Sequence, residues 1–290
     1  MADMAASNWT EAIARARANA PFLARCLDRL PQLADLLAAG DADAAFEYAA
    51  LAGEDAEAGV ALRRQRLALA LTLAIGDLAG AFTLDEVMQR LSAFADLALH
   101  RAIAEAARTR TTLESVDGFF ALALGKHGAG ELNYSSDIDP ILLFDPDVLA
   151  VGARSTPPET AQRMARDIVR LLADHTEEGY VFRVDLRLRP AAEVAPLAIS
   201  VNAAASHYES AALAWERAAF IRARSAAGDI ERGERFLASI RPFVWRRSVD
   251  FGAIDDIAQL RLRIRETYGG EPKLGPGFDL KRGRGGIREI

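Results

Sequence analysis

Two short apolar runs, Phe119–Leu124 and Ile138–Phe144, are separated by a polar stretch rich in glycine, and this pairing constrains the chain more than any other feature. Runs of that length, bounded by turn residues, predict buried strands. The stretch between them reads Gly125-Lys126-His127-Gly128-Ala129-Gly130-Glu131-Leu132-Asn133-Tyr134-Ser135-Ser136-Asp137-Ile138-Asp139. No Gly-Lys in it is followed by Ser or Thr, so it is not a P-loop. It also lacks the glycine spacing before a helix that marks a dinucleotide-binding fingerprint.

The stretch ends in an Asp-x-Asp opening the second apolar run. Residues i and i+2 of a strand share a face, so Asp137 and Asp139 are expected to project together, as two ligands of one hard cation would. A third strand is predicted at Val181–Leu188, ended by Pro190. There Phe182, Val184, Leu186 and Leu188 alternate with Arg183, Asp185, Arg187 and Arg189, which places Asp185 on a charged face among arginines. Three carboxylates on neighbouring strands could hold two magnesium ions, which prefer oxygen ligands. The arginines would offset carboxylate repulsion and could grip phosphate oxygens. Taken singly, an Asp-x-Asp is ordinarily a solvated strand end, and an Arg/Asp strand an exposed face with cross-strand ion pairs. Their conjunction points to a metal–phosphate site.

Around this segment the pattern is helical. Residues 8 to about 110 carry helical apolar spacing, punctuated by Pro21, Pro31, Gly40, Gly53 and Gly76. Thr83, followed by Asp85 and Glu86, is a helix N-cap with acids in the first turn, opening a helix to about Ala107. Pro157-Pro158-Glu159 starts another helix, to about Glu178, with Gly179 as its stop. Beyond residue 200 the spacing predicts helices at 202–227, 229–249 and 253–268, separated by Gly228 and Gly252, then a glycine- and proline-rich link over 269–277. The expected fold is mixed α/β and mostly helical. It divides into an N-terminal helical region (1–115), an α/β core (116–200) and a C-terminal helical region (201–290). Ile290 falls within what reads as the start of a further element, which predicts a truncated product.

Composition excludes several classes. At 51% apolar and 26% charged residues the chain is globular, not disordered. A net charge of −6 argues against a general nucleic-acid binder, though not against one nucleotide in a local basic pocket. With Cys26 alone there is no intrachain disulfide and no cysteine zinc site. The charged N-terminus is no signal peptide, and the longest apolar stretch, Leu67–Ile75, is too short for a bilayer, so a soluble cytoplasmic protein with no membrane partner is expected. His100, His127, His175 and His207 show no metal-ligand spacing, and His127 alone lies where a phosphate contact is conceivable. Trp215-Glu216-Arg217 reads as packing plus an ion pair. The basic run Lys281–Arg288 reads either as a phosphate contact or as a solvated turn.

The glycine-rich turn, the Asp-x-Asp strand and the distal strand aspartate resemble the signature of the DNA-polymerase-β-like nucleotidyltransferase superfamily. Several blocks resemble the glutamine-synthetase adenylyltransferase family more specifically: Gly125-Lys126 through Gly130–Asp139, Arg183–Pro190, Trp215-Glu216-Arg217, Ile221–Arg224 and Lys281–Ile290. Pro140 departs from that pattern, standing where the family usually has an apolar strand residue, and removes one ladder donor.

The resemblance implies a nucleotidyltransferase core sheet set between N- and C-terminal helical regions. It implies one half of a bifunctional enzyme of nitrogen control, in which one half adenylylates a tyrosine of glutamine synthetase with ATP. The other half removes AMP by phosphorolysis, releasing ADP, and the Ser135-Ser136-Asp137-Ile138-Asp139 wording is similar to that adenylyl-removing half. Carried over, Asp137, Asp139 and Asp185 are catalytic and hold magnesium. Gly125, Lys126, Ser135, Ser136, Arg183 and Arg187 contact nucleotide or phosphate. Glutamine synthetase is the implied partner, with the PII signal protein as a further one. Two alternatives stand beside this reading: a non-catalytic regulatory fragment, or a nucleotidyltransferase for another substrate.

Overall fold

A computed structural model describes residues 2–112, 115–152 and 155–245, with 258–259, 262, 275–281, 283 and 285–287. Six helices come first: α1 (Ala2–Asn19), α2 (Pro21–Arg29), α3 (Pro31–Ala38), α4 (Ala42–Leu51), α5 (Ala58–Leu78) and α6 (Leu84–Arg110). Proline opens α2 and α3, where its missing N–H costs nothing. Helix α6 starts as its sequence predicts. The Thr83 hydroxyl accepts from the Glu86 amide at 3.3 Å, and the Glu86 carboxylate accepts from the Thr83 amide at 2.7 Å, a reciprocal capping box. Trp9, Leu27, Leu33, Leu37, Leu71 and Ile75 form the core of the N-terminal helices.

The sheet holds β1 (Phe119–Leu124), β2 (Asp139–Phe144), β3 (Ala198–Ser200) and β4 (Arg224–Gly228) in the order β3-β2-β1-β4. Strands β2 and β4 run antiparallel to β1, and β3 runs parallel to β2. Phe119 and Ala121 face a core shared with α6 and with α8 (Pro157–Ala173), whereas Phe120, Leu122 and Leu124 face a second core. That second core includes Tyr208 of α9 (Val201–Ser210) and Phe236 and Ile240 of α11 (Ile230–Val244). A strand covered on both faces needs continuous apolar residues, which is why β1 shows no alternation.

Three expectations about elements are corrected. Residues 202–227 are not one helix: α9 is followed by α10 (Ala214–Ala219), a 3₁₀ turn (Phe220–Arg222) and then β4. The alanine-rich composition favours helix locally, but β1 has a free edge that Arg224–Gly228 fills, and pairing overrides propensity. Helix α8 ends at Ala173 rather than near Glu178, because Arg63 of α5 donates to the carbonyls of Asp174 and Gly179 and holds 174–179 in a turn. Gly179 serves that turn, with φ +89°.

The third correction concerns Val181–Leu188, which is no strand beyond a single parallel bridge, Ile138 to Val184. The Ile138 amide donates to the Arg183 carbonyl and the Asp185 amide to the Ile138 carbonyl. The next rung of a parallel ladder would need an N–H from residue 140, which is proline, so pairing stops at Asp185. The expected helix at 253–268 lies outside the described residues, apart from 258–259 and 262. Among the described residues no helix is long and apolar enough to cross a membrane.

Candidate active site

The chain leaves β1 at Gly125 and forms a short helix, α7 (Gly125–Ala129), closed by Gly130 in the left-handed conformation. Gly125 has φ +57°, and a Cβ there would lie 2.6 Å from the Asp139 Oδ2. Register explains the contact, since Leu124 pairs with Asp139 across β1 and β2. Only glycine combines this backbone conformation with that proximity.

Asp137 and Asp139 flank Ile138, and the single bridge from Ile138 to Val184 brings Asp185 beside them. The charges of Asp185 and Asp137 reach the Asp139 carboxyl. Asp139 is pushed up to about 6, first by burial, then by the charges of Asp185 and Asp137. Asp185 is instead held below the usual carboxylate range, chiefly by its hydrogen bonds from Arg187. The Arg187 Nε donates to both Asp185 oxygens at 2.9 Å, and the Arg187 amide also donates to Oδ1 at 2.9 Å. Arg183 donates to Asp137, to the Ser135 carbonyl and to the Tyr180 hydroxyl.

The three expected aspartates thus lie within electrostatic reach at Asp139, but they do not form a closed ligand set. Among the described residues no three His, Cys, Asp or Glu side chains converge to hold a metal ion. Arg183 occupies Oδ1 of Asp137 and Arg187 both oxygens of Asp185. The donor chemistry still suits a hard cation: the Asp139 carboxylate is disfavoured by burial and then by the charges of Asp185 and Asp137, and a cation would relieve these. The Arg187 side chain is 85% exposed, so it can leave Asp185 without disturbing packed structure. Ser136 is tied into a local turn, donating to the Asn133 side-chain oxygen at 2.8 Å and accepting from the Asn133 amide at 3.1 Å. The Ser135 amide also donates to that oxygen, at 3.3 Å. Lys126 is exposed on α7. Arg189, grouped with the phosphate-gripping arginines from its alternation, instead donates to the carbonyls of Leu186, Ala192, Ala195 and Pro196. It shapes the loop after the site.

Sequence reasoning missed the support of the glycine-rich turn. His127 is fully buried and meets Asp96 of α6 through Nε2 at 2.7 Å, which removes it as a phosphate contact. Arg224 of β4 donates to both Asp96 oxygens, at 2.8 and 2.9 Å, and to the His127 carbonyl at 3.2 Å. Asp96 thus ties α6, α7 and β4 together. Nothing local marks it, because its partners lie 31 and 128 residues away. Glu216 is buried against His207 at 2.8 Å, in keeping with packing plus an ion pair. Lys281, in the basic run, is near enough for its charge to lower the Asp139 pKa slightly against the larger upward effects.

A family model described as glutamate-ammonia ligase adenylyltransferase matches residues 1–239. The chain is similar to curated proteins named bifunctional glutamine synthetase adenylyltransferase/adenylyl-removing enzyme. That of Caulobacter vibrioides is 47% identical over 241 residues, covering 79% of this chain and 24% of the relative. The Rhizobium meliloti protein is 43% identical over 247 residues, covering 81% and 25%. A Bradyrhizobium sp. protein is 42% identical over 290 residues, covering 94% and 29%. The chain thus spans a quarter to under a third of the relatives it matches. The motif blocks, the sheet and the matched length agree: the chain belongs to the glutamate-ammonia ligase adenylyltransferase family.

Proposed function

We propose that this chain carries the adenylyl-removing activity for which its relatives are partly named, with the adenylyl-tyrosine of glutamine synthetase as substrate. The observation that carries the reading is that Asp139, packed against the Gly125 turn, feels the charges of Asp137 and Asp185, which are themselves paired with Arg183 and Arg187. In phosphorolysis an oxygen of inorganic phosphate attacks the phosphorus of the bound AMP. The bond from phosphorus to the tyrosyl oxygen breaks, that oxygen takes a proton, and ADP leaves. Such transfers depend on positioning and charge stabilisation more than on covalent chemistry.

Each residue has a part in this. Gly125 lets the backbone approach closely, and the turn after it offers N–H groups to phosphate oxygens. Lys126, exposed on that turn, and Arg187, once released from Asp185, are cations for the attacking phosphate. Arg183 holds Asp137 and the Ser135 carbonyl, fixing the loop that carries Ser136. Asp137, Asp139 and Asp185 would hold magnesium, which when bound supplies charge stabilisation to the transferring phosphoryl group. The PII signal protein remains a proposed partner on the strength of the family resemblance alone.

One observation favours a second reading. Arginines occupy two of the three carboxylates, as they would in a regulatory domain that keeps the fold without turnover. Incubation with adenylylated glutamine synthetase, magnesium and labelled phosphate separates the two. Label in ADP supports adenylyl removal. Nucleotide and metal binding without labelled ADP supports the regulatory reading, and AMP transfer from ATP onto unmodified synthetase would reverse the direction proposed.

A further inference from the structure

A cleft of about 440 Å³ lies between the N-terminal helices and the loops that lead to the site. Its floor is one face of α5, running from Arg63 and Arg66 through Leu67, Ala70 and Ala74 to Asp77 and Leu78. Phe22 and Leu23 of α2 form one wall, and Tyr134 with 178–181 the other. Neither Gly125, Asp137, Asp139 nor Asp185 lines it, so it is separate from the candidate active site.

The charges along this floor are uneven. Glu178 is met by Arg29 and Arg64, which account for its charge. Among the described residues Arg63 and Arg66 form no ion pair. Arg63 gives its nitrogens to the carbonyls of Gly59, Asp174 and Gly179. Arg66 donates to the Tyr134 carbonyl at 2.7 Å and lies over the Phe182 ring at 5.2 Å, while its Nε is buried with no hydrogen-bond partner. Burial pulls both guanidinium pKa values down; the Asp174 charge opposes this at Arg63, whereas at Arg66 no carboxylate does. Asp77 does not answer it. It stands about three turns further along α5, roughly 16 Å by helical rise, and accepts from the Tyr134 hydroxyl at 3.2 Å.

We propose that this cleft binds a small organic anion with an apolar body, its anionic head at Arg66 and its body along Leu67, Ala70 and Ala74. The volume falls in the range of small-molecule sites, and the lining is of their kind, apolar with few polar groups. An anion at Arg66 supplies the missing counter-charge, and the hydrocarbon part covers the exposed floor between Phe22 and α5.

The test uses two fluorescent probes of the same shape, 1-anilinonaphthalene-8-sulfonate and its neutral parent N-phenyl-1-naphthylamine, titrated into the whole chain. The expected result is one saturable site preferring the sulfonate by about tenfold, a difference of about 1.4 kcal/mol. Arg66→Gln should collapse that preference while the neutral probe still binds. Ala74→Phe, which fills the floor, should remove both. Leu78→Trp, at the exposed end of α5, repeats the filling where unfolding is not a concern, and thermal melts verify each variant. Equal affinity for the two probes in the wild-type protein overturns the proposal. So does sulfonate binding unchanged in folded Ala74→Phe or Leu78→Trp, since the site would then lie elsewhere.

Discussion

The Asp139 carboxylate sits where a side chain on Gly125 would begin, with Oδ2 2.6 Å from the position of a Cβ. The glycine at the end of β1 and the acid at the start of β2 therefore act as one unit. Gly125→Ala should cost about 1–3 kcal/mol of stability from backbone strain and collision together. In an Asp139→Gly background only the strain remains, so the two changes should be non-additive by at least about 0.5 kcal/mol. Urea unfolding of the four proteins measures this, and strict additivity would show that the two residues do not touch.

The raised Asp139 pKa makes a pH-dependent statement about the metal-free protein. The folded value is about 6 against an ordinary 3.8, so the folded state binds the proton more tightly than the unfolded chain. This group's contribution therefore falls as pH rises from about 4 through 6, and above that the ionised acid is a constant burden. With a chelator present, Asp139→Asn should gain on the wild type between pH 4 and pH 7. Parallel urea midpoints for the two proteins across that range would contradict the assignment.

Arg187 competes with any cation for Asp185. Arg187→Ala should tighten binding of manganese, used as a magnesium surrogate, by roughly three- to tenfold, because the carboxylate is freed and one positive charge leaves. Free manganese is counted by its paramagnetic resonance signal. Unchanged or weaker binding would mean that Asp185 is not a ligand.

Asp96 accepts from His127 and from both arms of Arg224, three contacts on one carboxylate. Asp96→Asn and Arg224→Gln should each cost about 1–3 kcal/mol, since each leaves partners without a match. The double variant should cost less than the sum, as removing both ends leaves fewer stranded groups. Denaturant midpoints decide it. Losses that simply add would show that Arg224 and Asp96 serve separate partners.

Much of this was legible in the chain alone, where the signal is local. The capping box at Thr83 and Glu86 needs only residues three apart. Strand β1 is readable because six buried apolar residues in a row have few other uses, and Gly125 marks the turn after it. The alternation around Asp185 likewise places it between Arg183 and Arg187, and Arg187 is its hydrogen-bond partner.

What sequence could not supply is pairing at a distance. Strand β4 is written in residues that favour helix, and becomes a strand because β1, about a hundred positions earlier, offers an open edge. The run containing Asp185 has the alternation of a strand yet pairs at one residue, because Pro140 on the neighbouring strand has no N–H to give. Asp96 carries no local mark, and acquires its role when α6, α7 and β4 converge on it. The physical reason is common to all three. Propensity and periodicity are written within a few residues, whereas an edge to fill, a donor that is missing and a charge that needs a partner exist only after distant segments have met.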